Sequence, residues 1–205
     1  MLPESSIKEE NLQEQILQAA LQLYLKHGVK KVTMDDVARV IGKSRSALYY
    51  YFKNRDEIFE AVMVALVREV ISQIETAVNR ADSIEPKILS FCLTKVQTSE
   101  EKKSLFTAME SGMDAEEITR YSSTINRFHK KLMAEEATLL KKIFANAAAK
   151  GEVRSLSVSE EEDLIFILLS SVRGIRRELR NNNDFSKLES VMAMLTQLTM
   201  EWMRR

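Results

Sequence analysis

Residues 33–52 hold two short helices joined by only three residues, Gly42-Lys43-Ser44, and this compression constrains the fold more than any other stretch of the chain. Thr33 with Asp36 three positions later predicts a capped helix start, followed by Val37, Ala38 and Ile41 and a stop at Gly42. A second helix follows over 45–52. Two helices so close in sequence cross steeply only if a small side chain sits inside the first and the turn accepts a left-handed backbone. Ala38 and Gly42 meet those two conditions. Val37, Ile41 and Leu48 then form the contact between the pair, and a preceding helix closes the remaining face. The second helix is left to turn Ser44, Arg45, Ser46, Ala47, Tyr49 and Tyr50 to solvent.

The rest of the chain also reads as helix. Five glycines and two prolines in 205 residues, with no alternating apolar pattern bounded by turn residues, predict an all-α fold. A first helix over 12–27 carries Leu12, Ile16, Ala20 (or Ala19), Leu23 and Tyr24 on one stripe, with Gly28 as its C-terminal cap. Asn54, with Glu57 at the third position, caps a long helix reaching about residue 80. Further helices are predicted over 84–98, 101–111, 115–150, 159–180 and 185–204, about nine in all. The expected organisation is a flexible segment over 1–11, a three-helix head over 12–58 and a larger domain over 59–205.

Net charge is zero, yet its distribution is uneven. Between Lys26 and Arg55 eight basic residues face only Asp35 and Asp36, a surplus of six positive charges. From Asp56 onward 21 basic residues face 24 acidic ones, so the positive field is confined to the helix pair and its flanks. That asymmetry points to a polyanion, and the exposed helix suits double-stranded DNA. An Arg at the start of an exposed helix pairs with guanine, Ser bonds several base edges, the Ala methyl meets a thymine methyl, and Lys and hydroxyl groups hold phosphates. Of the tyrosines, Tyr49 and Tyr50 fit groove or phosphate contacts, whereas Tyr51 and Phe52 fit packing. Gly42-Lys43-Ser44 looks like the end of a phosphate-binding loop, but Val37 stands where its upstream glycine is needed.

Other chemistries find little support. Cys92 has no disulfide partner, and one thiol with His27 and His129 makes a poor metal kit, so neither metal nor cofactor is expected. No nucleophilic triad can be assembled, which argues against an enzyme. Glu4, Glu9, Glu10 and Glu14 occupy the place of a signal peptide, and no apolar run is long enough for a membrane span, so a cytoplasmic protein with no membrane partner is expected.

The segments Thr33-Met-Asp-Asp-Val-Ala, Gly42-x-Ser44 and Leu48-Tyr-Tyr-Tyr-Phe52-Lys-Asn-Arg-Asp-Glu-Ile58 closely resemble the TetR family of repressors over about residues 13–61. The resemblance implies an N-terminal DNA-binding head with a helix-turn-helix and a C-terminal helical domain for ligand binding and dimerisation. It makes Thr33 a phosphate contact and Arg45, Ser46, Ala47, Tyr49, Tyr50 and Tyr51 the recognition surface, with Lys43, Ser44 and Lys53 beside it. Arg55 stands where the family usually has a phosphate-binding Lys. Lys43 replaces the usual apolar residue after the turn glycine, and Ser46 replaces a common Gly.

The two last helices carry apolar stripes: Ile165, Leu168, Val172, Ile175 and Leu179 on one, and Leu188, Val191, Leu195, Leu198 and Trp202 on the other. In a protein resembling this family they pair with their symmetry mates as a four-helix bundle, making a homodimer whose two recognition helices meet successive major grooves. The middle helices concentrate Phe91, Phe106, Met109, Glu110, Met113, Tyr121, Ile125, Asn126 and His129. These residues read either as ordinary core or as the lining of a pocket for a small apolar or amphipathic effector. The expected function is an operator-binding repressor released by such an effector. The alternative is a DNA-binding dimer whose large domain serves as a platform for another protein.

Overall fold

The computed structural model describes the backbone of residues 4–204 and, apart from Arg120, the side chains of residues 11–204. Its described residues form eight α-helices and no strand. These are α1 (Glu4–His27), α2 (Met34–Val40), α3 (Arg45–Tyr51), α4 (Arg55–Asn79), α5 (Ile84–Met109), α6 (Ala115–Ala149), α7 (Val158–Asn181) and α8 (Leu188–Arg204), with a single 3-10 turn at Val29–Lys31.

Two differences from the sequence expectation have local causes. The break expected near residue 100 is absent, and α5 runs unbroken to Met109. Thr98-Ser99-Glu100-Glu101 contains neither proline nor glycine, so nothing there removes a helical hydrogen bond. The Thr98 hydroxyl donates back to the Thr94 carbonyl at 2.9 Å, a bond compatible with continuous helix. Secondly, α1 begins at Glu4, so residues 4–11 of the segment expected to be flexible have helical backbone; residues 1–3 lie outside the described residues.

The chain gathers into two compact units. One joins the stretch up to Arg68 with Glu101–Lys130, and the other joins Glu69–Glu100 with the stretch from Lys131 onward. The boundary therefore differs from the division expected after residue 58, because the last turns of α5 and the first half of α6 belong with the head. In the first unit Ile16, Tyr24, Leu48, Ile58 and Val62 are buried. The Tyr24 ring meets Phe59 edge-on with centroids 6.0 Å apart, and Phe59 in turn meets Tyr121 of α6 at 5.2 Å.

Gly28 shows how tightly these pieces fit. Its N–H donates to the Tyr24 carbonyl at 2.9 Å to close α1, and its φ of 78° with ψ of 154° is a conformation open essentially to glycine alone. A Cβ there would stand 2.2 Å from the backbone carbonyl oxygen of Ser111, in the α5–α6 connection. Nearby, Lys30 Nζ lies 2.8 Å from Glu117 and 3.4 Å from Asp114, and Arg127 pairs with Glu60.

The second unit has its own apolar core, in which Ile74, Ile88, Phe91, Leu140, Leu168, Met192 and Met200 are almost wholly enclosed. Its helix ends are fastened by side chains. Ser157 and Glu160 cap α7 reciprocally, and the Ile84 N–H at the start of α5 donates to Glu152 at 2.7 Å. Inside the core Lys95 of α5 and Glu136 of α6 form a buried ion pair.

Candidate nucleic-acid interface

Three local devices build the helix pair. Thr33 caps α2: its hydroxyl oxygen accepts from the Asp36 N–H at 3.2 Å, and the Asp36 carboxylate accepts from the Thr33 N–H at 3.0 Å and from its hydroxyl at 2.6 Å. Those bonds, the hydroxyl's first, hold the Asp36 carboxyl below the usual carboxylate range. At the other end the Gly42 N–H donates to the Arg39 carbonyl at 3.3 Å and the Lys43 N–H to the Ala38 carbonyl at 3.0 Å, the paired bonds of a Schellman stop. Gly42 has φ of 65°, and no atom lies within 4 Å of where its Cβ would stand. The glycine is needed there for its backbone and not for space. Finally the Ser44 hydroxyl accepts from the Ala47 N–H at 3.2 Å and starts α3.

Packing then orients α3. Val37 and Ala38 of α2 are buried, Leu48 of α3 is fully buried, and Phe52 is buried one turn further on. With that side committed, Ser44, Arg45, Ser46, Tyr49 and Tyr50 are exposed and Ala47 is half-buried. Tyr50 projects furthest, at 75% exposure, and its ring meets Tyr51 edge-on at 5.1 Å. Tyr51 is itself half-buried. Lys43 and Lys53 flank the helix and are exposed.

Arg45 is already engaged. Its Nη2 donates to the Tyr49 hydroxyl at 2.9 Å, its Nη1 to Asp35 at 3.2 Å, and the guanidinium lies 5.3 Å from the centre of the Tyr49 ring. Sequence reasoning missed Asp35 as the acid that holds this arginine. The two residues are ten positions apart and become neighbours only once the helices cross. Two expected phosphate contacts have internal work as well: the Thr33 hydroxyl belongs to its cap, and Arg55 Nη1 donates to the Lys30 carbonyl at 3.0 Å.

The residues expected to line an effector pocket differ in their burial. Phe91 is sealed in the core of the second unit, Met109 is fully buried, and Phe106 and Ile125 are half-buried. Glu110, Asn126 and His129 are exposed. Met113 and Tyr121 do line a cleft in the first unit.

The expected dimer residues divide in two. Ile165, Leu168 and Val172 are buried in the second unit's own core, and Ile175, Leu188 and Leu195 pack partly buried against it. Leu179 and Val191 are half-buried. Leu198 and Trp202 are exposed, and so are Phe166, Ile167 and Met194, which lie outside the two expected stripes. An apolar run on α7 with hydrophobic residues on both sides of Leu164–Leu169 does not reveal which side faces inward.

A first helix with one side buried, a glycine stop and a second helix with one side exposed define a helix-turn-helix. Residues 16–62 match the family model of the bacterial regulatory proteins, tetR family. It is 32% identical over 72 residues to the HTH-type transcriptional regulator TtgR of Pseudomonas putida, covering 35% of this chain and 34% of that one. It is 27% identical over 97 residues to the nucleoid occlusion factor SlmA of Haemophilus ducreyi, covering 47% of each. These matches span from about a third to a half of the curated relatives' length. A transcriptional regulator of the TetR/AcrR family from Thermobifida fusca shares the fold with a TM-score of 0.60 at 20% identity, over 95% of this chain and all of that one. Among the described residues no helix is long and apolar enough to cross a membrane.

Proposed function

We propose that this protein is a DNA-binding transcriptional regulator, acting as a homodimeric repressor that a small-molecule effector releases from its operator. The observation that carries the DNA-binding part is α3 itself. It is pinned by Leu48 while Arg45, Ser46, Tyr49 and Tyr50 stand exposed amid the surplus of basic residues between Lys26 and Arg55. On DNA, Arg45 exchanges Asp35 for a guanine edge, and Tyr49 keeps the guanidinium oriented while it does so. Lys43, Lys53 and the tyrosine hydroxyls supply phosphate contacts that set the register.

Electrophoretic mobility shifts with duplex fragments from around the gene test this reading. Affinity should fall steeply as salt rises, because phosphate-bound cations are released. Arg45→Ala should weaken the preferred site by about 1–3 kcal/mol and leave random duplex nearly unchanged. An equal loss on both would move Arg45 to the phosphate contacts, and salt-independent binding would sink the proposal.

Pairing of α7 and α8 with a second copy is supported by their exposed apolar residues. Met194, Leu198 and Trp202 recur every four positions along one face of α8, and Phe166 and Ile167 stand out from α7. Two recognition helices about 34 Å apart are what a two-fold operator requires. Sedimentation should find a dimer that Leu198→Asp converts to a folded monomer with weakened operator binding. Leu168→Asp, placed in the core, should instead unfold the chain. A wild-type monomer, or a Leu198→Asp dimer, would refute the pairing.

The effector part of the proposal rests on coupling. A ligand releases DNA only through unequal affinity for the bound and free arrangements. Continuous helices such as α4, which begins beside the recognition helix, supply the means of transmission.

A further inference from the structure

The structure assigns a small-molecule site to the head unit: a cleft of about 160 Å³ walled by Phe59 of α4, Met113 of the α5–α6 connection and Tyr121 of α6, which we propose binds a small neutral aromatic compound bearing a hydrogen-bond acceptor. Three independent features lead to that chemistry, and none depends on whether the protein binds DNA.

The first is an unpartnered hydroxyl. Tyr121 is only 6% exposed, it lines the cleft, and its Oη has no hydrogen-bond partner. A buried hydroxyl left without a partner is costly, and buried polar groups in native proteins nearly always have one. Burial, and after it the charge of Glu110, holds the phenol above its usual pKa, so at neutral pH it is a hydroxyl able to donate. The missing partner is therefore an acceptor.

The second feature is the rim. Lys30 lies 2.8 Å from Glu117, Glu60 is paired with Arg127, and Arg55 donates to the Lys30 carbonyl. Cations and anions around the opening answer one another, so an ionic ligand would have to break an existing pair to find a counter-charge. A neutral ligand needs no such exchange.

The third is size and wall character. Cavities of about 150 Å³ lined by apolar side chains take up benzene, so 160 Å³ accommodates one ring with a small substituent. The Phe59 and Tyr121 rings, tilted by 36° with centroids 5.2 Å apart, offer aromatic faces and edges against which that ring packs. Met113 also lines the cleft, and its thioether adapts to irregular shapes.

The test uses the full chain and two probes of nearly equal shape, acetophenone, which carries an acceptor, and ethylbenzene, which does not. Binding is followed by ligand-observed NMR titration. Acetophenone should bind saturably and more tightly than ethylbenzene. Tyr121→Phe removes the hydroxyl with almost no change in shape; it should weaken acetophenone by up to about tenfold, the value of one hydrogen bond, and leave ethylbenzene unchanged. Met113→Trp, which fills the cleft, should abolish both. Absence of saturable binding by either probe overturns the site. So does equal weakening of both probes by Tyr121→Phe, or acetophenone binding that survives both substitutions. Since no DNA is present, a failure here leaves the DNA-binding proposal standing, and the reverse also holds.

Discussion

Replacing Glu136 by leucine should lower the unfolding free energy by about 3–5 kcal/mol, the cost of leaving a buried charge without its partner. Glu136 is 1% exposed and Lys95, its partner across the core of the second unit, is 6% exposed. Burial pulls the Lys95 ammonium below its ordinary range, the attraction of Glu136 opposes that pull, and the charges of Arg173 and Arg176 add to it. Without Glu136 every remaining influence is unfavourable to the charged form. A double replacement, Lys95→Met with Glu136→Leu, removes both desolvation costs and should be close to neutral or even more stable than the parent. Chemical denaturation followed by circular dichroism separates the two outcomes, and equal losses in the single and double variants would show that packing and not charge decides the effect. The sign of the pH dependence gives a second check. In Glu136→Leu the folded pKa of Lys95 lies below its unfolded value of 10.5. The unfolded state then binds more protons in that interval, so the lost stability should return in part as pH rises toward 10.5.

The second large effect is expected at Gly28. Alanine there must hold a backbone conformation that costs about 1–3 kcal/mol for any side chain. Its Cβ would also be forced to within 2.2 Å of the Ser111 carbonyl oxygen. Relieving such an overlap costs a further ~1–3 kcal/mol, because the obstacle is backbone and cannot swing aside. Gly42→Ala provides the contrast. It shares the positive φ but has open space around it, so its loss should stay near the backbone cost alone, about 1–2 kcal/mol. Thermal melts of the two variants should therefore differ clearly, and amide exchange around Ser111 should accelerate in Gly28→Ala only. Matching melts would mean that the α5–α6 connection moves away from Gly28 at no cost.

These two sites also mark the limit of what the sequence discloses. The helix pair was legible because its determinants are local: a cap and its acid three positions apart, a glycine stop, and Leu48 in register with Val37 and Ala38. Gly28 was legible as a helix end for the same reason, whereas its need to be glycine arises from Ser111, 83 positions away. Nothing in the sequence marks Lys95 or Glu136, since a charged residue on a helix ordinarily faces water. The apolar run of α7 presents a related ambiguity. Ile165 and Phe166 are adjacent and both hydrophobic, and only the packing of the second unit's core decides that the first is enclosed and the second exposed.

The partition of the chain bears on how such a protein is dissected or recombined. A recognition head spliced out after residue 58, or even after Arg68, would leave behind Ser111, Glu117 and Tyr121, and with them the neighbours of Gly28, Lys30 and Phe59. The helix pair proposed to read DNA is therefore not a transplantable cassette. A chimera that exchanges operator preference should carry the 101–130 stretch along with the helix pair, or else remake those contacts on the recipient's own helices.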